Sequence, residues 1–270
     1  MIKSIININL KVNNESLRIL ILALVGLLIT NLHYDLIEVN NNTLSMGDII
    51  IETYGGLVTD YSIYNIFYFI LWITPYIIVL SLINISTIDR FRESKTLLLP
   101  RVKKKTKWLI AFNLTIVIRI CIYFLVLFLS SIIVILIRNG YRAFQNSSLY
   151  INSAINVNQY YISIYVILLN ILTLIAIQLF LNNLYSVFSK SNEASAIGML
   201  FYIAPIFYSK KTRFSKVFLI NNGMIKRYEM FENGFEGLSF VSSLIFIIAF
   251  ITINFFIGLL IIKKHDIIDI

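Results

Sequence analysis

Charge is what this chain has little of: only 14% of its 270 residues are Asp, Glu, Lys or Arg, against about 25% in ordinary soluble domains. That shortfall excludes a soluble domain with a solvated surface all round. Cysteine is almost absent, and Cys121 stands alone inside an apolar run, where it reads as a small hydrophobe; a disulfide framework is excluded. The two histidines, His33 and His265, come with no HExxH spacing and no Cys/His cluster, which argues against a metal-dependent hydrolase. His33, at the end of the first apolar run, reads as an interfacial side chain rather than a ligand. None of the ten glycines opens a GxxxxGK[ST] loop, so the chain has no phosphate cradle of its own. No acidic residue lies deep in an apolar run; Asp35 stands only two residues from the end of the first. The paired groups of an intramembrane protease are therefore missing, as are the carboxylates by which many ion-coupled secondary transporters bind protons or sodium.

Apolar length is what the chain does have. Hydrophobic residues make up 58% of it. About 20 apolar residues, at about 1.5 Å per residue, cross a hydrocarbon core of about 30 Å. Six runs qualify or nearly do: 17–37, 63–88, 108–137, 161–189, 194–209 and 237–262. The expectation is an all-α membrane protein of six transmembrane helices, one domain over residues 1–270. The first run is expected to stay as a span, because 16 polar-rich residues precede it and no small-x-small cleavage site follows.

Lys and Arg in short loops set orientation. The amino-terminal arm carries Lys3, Lys11 and Arg18, and eight basic residues lie from Arg90 to Lys107, so both segments are expected in the cytoplasm. The loop between the first two runs carries Asp35, Glu38, Asp48, Glu52 and Asp60 with no basic residue, which suits the outer side. Six spans then return the carboxyl terminus, with Lys263 and Lys264, to the cytoplasm. A net charge of +9 is thus assigned to topology and anionic lipid, not to nucleic acid. One loop resists the scheme: Lys210, Lys211, Arg213, Lys216, Lys226 and Arg227 lie where alternation demands the outer side. The run before them has only 16 residues, about 24 Å of helix. A tilted short span followed by a re-entrant segment, such as VFLI at 217–220, reconciles these facts.

The basic stretch DRFRESKTLLLPRVKKKTKW, residues 89–108, places Ile88, Phe91, Lys95 and Leu98 at helical spacing until Pro100 stops the helix. On spacing alone it is either a surface helix holding topology and meeting lipid headgroups, or a docking element with Leu97, Leu98 and Leu99 as apolar anchor. ESKTLLLPRVKKKTKW ahead of a long apolar run resembles the cytoplasmic segment between spans 2 and 3 of type-2 ABC exporter permeases, with Glu93, Thr96, Leu97, Pro100 and Arg101 at corresponding places. YSVFSKSNEASAIGML at 185–200 is similar to the break between spans 4 and 5 of that family. The chain departs from the pattern at Lys95, where the family commonly has Gly, and in a shorter interval from Glu93 to Pro100.

The resemblance implies a bacterial plasma-membrane permease subunit with both termini inside. A coupling helix bearing Arg90, Phe91, Glu93, Thr96, Leu97, Leu98 and Leu99 would enter a groove of an ATP-binding cassette subunit. An extracellular re-entrant hairpin would lie between spans 5 and 6. It also implies pairing with a second permease subunit, identical or similar, and ATP with Mg held by the partner ATPase, no cofactor being bound by this chain. Small permeases of the family export antimicrobial peptides or protect against them, so the implied substrate is amphipathic or hydrophobic: a peptide, antibiotic or lipid-like molecule. The alternative left open is a non-transporting immunity or signalling protein that acts by binding.

Arg119 is the one ionisable residue deep in a run, and it should face the bundle interior, a partner or a wet cavity. It is either a polar contact on the translocation route or a structural group bonded to a neighbour such as Gln178 or Asn170. Asn113 and Asn254 are expected to hydrogen-bond between helices, and Pro75 and Pro205 to bend theirs.

Overall fold

The computed structural model describes residues 6, 15–38, 45–57, 66–84, 105–144, 159–187, 196–200, 203, 216–231 and 238–264. The described residues are mostly helical: α1 Glu15–Glu38, α2 Met46–Tyr54, α3 Ile66–Ile83, α4 Lys105–Asn139, α5 Gln159–Val187, α6 Leu219–Gly223 and α7 Phe240–Lys264. Short 3-10 turns follow α4 at Gly140–Phe144 and α6 at Ile225–Arg227. Five helices, α1, α3, α4, α5 and α7, are long and apolar enough to cross a membrane, which makes this a multi-pass membrane protein. Their cores coincide with five of the six expected runs, and their ends differ by a few residues. Most of the remaining run, 194–209, lies outside the described residues.

These helices are apolar on every side because one face meets protein and the other meets lipid. Leu20, Leu24 and Leu28 of α1 and Ile253, Phe256 and Leu260 of α7 point outward, while Leu22, Ile120, Leu127, Leu169 and Ile177 are fully inside. α5 is the central helix, with 61% of its most apolar stretch buried against 22% for α7 at the periphery.

Side-chain pairs fix the helix directions. α1 and α4 run the same way, since Tyr123 donates to Glu15, Thr30 to Ser131 and Arg138 pairs with Asp35. α3 runs with α5, as Tyr76 bonds Asn170 and Gln178 bonds Asn84. α7 also runs with α5: Tyr165 stacks on Phe240, Phe180 packs on Phe250 and Asn183 donates to Asn254. The Asn183–Asn254 bond is the interhelical contact expected of Asn254. His33 near the end of α1 lies beside Tyr68 near the start of α3, with rings 6.2 Å apart, so the two sets are antiparallel. α1 and α4 finish, and α3, α5 and α7 begin, at the same end of the bundle, the His33 end.

α2 is not a span and is not a solvated loop. Gly47 through Tyr54 are all buried. Its start is closed by a capping box, with Ser45 N–H donating to Asp48 Oδ2 at 3.0 Å and Asp48 N–H to Ser45 Oγ at 3.3 Å. Its end turns at Gly55 and Gly56, the latter at φ +97°. A Cβ at residue 56 would collide with Met224, so the turn and the close approach both require glycine.

A buried polar core between two inserted segments

Two segments enter the bundle from the His33 end and meet inside it: residues 45–57, carrying α2, and residues 216–231, carrying α6. The backbone joins them directly, because Lys226 N–H donates to Gly55 O at 3.0 Å. Gly223 packs on Thr173 in the middle of α5, where a Cβ would lie 2.7 Å from the Thr hydroxyl. Both segments therefore carry backbone to a depth where water is scarce, and each polar group there needs a partner.

α2 is anchored through its last residue. The Tyr54 hydroxyl lies 2.7 Å from Ser131 Oγ, which also accepts from Thr30 at 2.7 Å, so one cluster ties α1, α2 and α4 together. The Tyr54 carbonyl accepts from Asn170 Nδ2 at 3.1 Å and from the Tyr76 hydroxyl at 3.3 Å. These two bonds bring in α5 and α3 and cap the C-terminal end of α2, whose carbonyls have no intrahelical partner. Burial pushes the Tyr54 phenol up to about 12, so it is a donor at neutral pH.

Charge is buried here too. Lys226 Nζ lies 2.7 Å from Glu52 Oε1, and both side chains are under a tenth exposed. Arg227 is fully buried: its Nε donates to Leu57 O at 3.2 Å and a terminal nitrogen donates to Asn221 Oδ1. Burial lowers Arg227 to about 10, which leaves it cationic at neutral pH. Asn222 Nδ2 donates to the carbonyls of Lys216 at 2.7 Å and Phe218 at 2.9 Å, and its own carbonyl accepts from the Tyr228 hydroxyl at 2.8 Å. The inserted 216–231 segment is thus held in shape by its own carboxamides and tied to the 45–57 segment through the Glu52–Lys226 ion pair and the carbonyls of Gly55 and Leu57.

Three expectations change. His33 is not interfacial: it is 1% exposed because the inserted segments cover the end of α1, and neither ring nitrogen has a hydrogen-bond partner among the described residues. Lys226 and Arg227 are not loop charges facing solvent, since both are buried in this core. Carboxylates do enter the bundle interior, not from a span but from α2, as Asp48 and Glu52. The capping box Ser45-x-x-Asp48 is the sequence signal that marks α2.

Arg119 is buried as expected, with 1% exposure. It lies one turn from Tyr123, on which its charge acts together with Arg18, and the Tyr123 hydroxyl donates to Glu15 Oε1 at 2.8 Å. Gln178 and Asn170 are not its partners. Nearer groups occupy them: Asn84 and Asn182 for Gln178, and Tyr76, Tyr54 O and Val166 O for Asn170. The Arg119 group lies at the bundle end opposite His33. The coupling stretch, with Arg90, Phe91, Glu93, Thr96, Leu97, Leu98 and Leu99, lies outside the described residues. Among the described residues no group of three or more His, Cys, Asp or Glu side chains could hold a metal ion. No protein-family model, no curated protein and no solved structure matches this chain.

Proposed function

We propose that the chain is the membrane-spanning subunit of an ATP-driven exporter, similar to type-2 ABC permeases, that moves an amphipathic or hydrophobic substrate outward by alternating access. The observation that carries this reading is the parallel course of α5 and α7 with the 216–231 segment buried beside both. Two consecutive long helices that run the same way require a crossing between them. Residues 196–200 are helical and Gly198 faces Leu181 and Leu184, toward the far end of α5, whereas Gly223 faces Thr173 at its middle. These placements support reading a sixth, short crossing between α5 and the inserted segment, with that segment as a re-entrant hairpin before the last span. That is the arrangement the resemblance implies for spans 5 and 6, with both termini at the cytoplasmic end.

The same reading accommodates two of the six basic residues between spans 5 and 6 on the outer side. Lys226 is neutralised by Glu52 and Arg227 is enclosed by carbonyl and carboxamide oxygens, so neither acts as a free loop charge of the kind that sets orientation. In this reading ATP and Mg are held by a separate ATP-binding cassette subunit, and the 89–99 stretch couples to it. A second permease subunit, a copy or a relative, completes the cavity, and lipid surrounds the rest. ATP-driven closure of the ATPases tilts the balance between inward- and outward-facing arrangements. An interior closed by an ion pair also suits an immunity or signalling protein that acts only by binding.

A pull-down separates the two. Tagged protein from native membranes in mild detergent is expected to bring down an ATP-binding subunit, and a Leu97→Asp, Leu98→Asp double variant to lose it while inserting normally. Absence of an ATPase from both samples sinks the exporter reading and puts the binding protein first.

A further inference from the structure

The Glu52–Lys226 ion pair ties together two segments that enter the bundle separately, and His33 stands within its field with neither ring nitrogen hydrogen-bonded among the described residues. His33 is enclosed by α1, α2, α3 and the 3-10 turn at Ile225–Arg227, and it is within electrostatic reach of both Glu52 and Lys226. Tyr68 of α3, whose ring is 6.2 Å away, also feels Glu52. Other ionisable groups of the packed elements are engaged elsewhere: Arg227 with Leu57 O and Asn221, Asp48 with Ser45, Tyr54 with Ser131, Tyr34 with Asn139 and Asp35 with Arg138. Two ring nitrogens buried without a partner carry a desolvation cost that a purely structural position would avoid by using Leu or Phe.

We propose that His33 is a proton-binding site that unlatches the 216–231 segment from α2. With the imidazole neutral, the Glu52 carboxylate and the Lys226 ammonium offset one another. A proton taken from the aqueous phase at the His33 end adds a second cation beside Glu52. Two cations then share one carboxylate in a poorly hydrated space, and the imidazolium, fixed on α1, competes with the flexible Lys226 for it. Lys226 is the member that can leave, because it sits on the inserted segment and not on a span. Its departure loosens Met224 from Gly56. The latch stands on this geometry alone and holds whether or not the chain is an exporter.

The test uses the full chain in lipid nanodiscs, with Cys121→Ser and Met224→Cys so that the only thiol lies under the latch. The rate of maleimide labelling, normalised at each pH to a small free thiol, is measured at pH 7.5 and pH 4.5. The expected result is protection at pH 7.5 and at least a tenfold rise at pH 4.5. Adding His33→Gln, which keeps a polar side chain of similar reach without a titratable ring, is expected to leave the thiol protected at both values. A normalised rate that does not change with pH overturns the proposal. So does a rise that survives in the His33→Gln variant, since the proton would then act at Glu52 or elsewhere. Circular dichroism of each variant at both pH values checks that helices are intact, and labelling that rises only with general loss of helix also counts against the latch.

Discussion

Glu52 and Lys226 illustrate how much a single buried pair decides. Neither is in a span, and each alone would be an uncompensated charge in a dry interior. Removing one member is expected to cost about 3–5 kcal/mol, while replacing both with neutral groups of similar volume costs far less. We expect Glu52→Gln and Lys226→Met each to lower the thermal midpoint of the detergent-solubilised protein by several degrees, and the double variant to recover most of the loss. Equal, additive losses in the two single variants and the double would mean that the pair contributes nothing jointly. The pairing could not be read from composition, where Glu52 belongs to an acidic loop and Lys226 to a basic one more than 170 residues later. Arg119 was the opposite case. Its position eleven residues into an apolar run made burial legible, but the Glu15 that its neighbour Tyr123 bonds comes from α1, which no spacing within α4 could reveal.

The helices themselves were legible because apolar length is a local property, and five spans lie where length and hydropathy put them. How closely two of them approach was not. α1 and α4 run side by side with Gly26 set against Ser130 and the Leu127 carbonyl, where a Cβ would come within 2.7 Å of that oxygen. The Thr30–Ser131–Tyr54 cluster lies one turn further along the same seam. Small residues at such contacts let backbones approach in a medium that gives no hydrophobic drive for association. Gly26→Leu is therefore expected to push α1 off α4 and break that cluster, at a cost above the about 1–3 kcal/mol usual for overpacking. Leu28→Ala, on the lipid-facing side of the same helix, should change the midpoint little. Folded yield by size-exclusion chromatography and the midpoint of both variants check this, and equal effects would show that the seam is not special. α2 escaped the span criterion for a simple reason: nine residues make about 13 Å of helix, too short to cross.

For the molecule as a whole, the arrangement makes a prediction about sides. Glu229 lies exposed at the mouth of the inserted segment, by the start of α7, and Lys263 is exposed at the other end of that helix. In a Cys121→Ser background, single cysteines at 229 and 263 are expected to react with a membrane-impermeant reagent from opposite faces, Glu229→Cys from outside and Lys263→Cys from the cytoplasm. Reaction of both from one face would remove the assignment of α7 as a crossing. Reaction with the faces exchanged would invert the orientation and place the polar core toward the cytoplasm, where an extracellular hairpin could not be.

Sequence alone determined that the chain lives in a membrane, roughly where five helices cross, that Arg119 is inside, and that the chain carries no Walker loop. The first three follow from the cost of placing charge and unpaired backbone in hydrocarbon, a cost that each residue carries wherever it goes. Tertiary structure decided the rest: that residues 45–57 fold into the bundle as a capped, inserted helix, that α5 and α7 run parallel, and that Glu52, Lys226 and His33 share one buried space. Those outcomes depend on pairing groups far apart in the chain, and such pairing is set by packing in three dimensions, where polar groups deprived of water take whichever partner the neighbouring helices bring within reach.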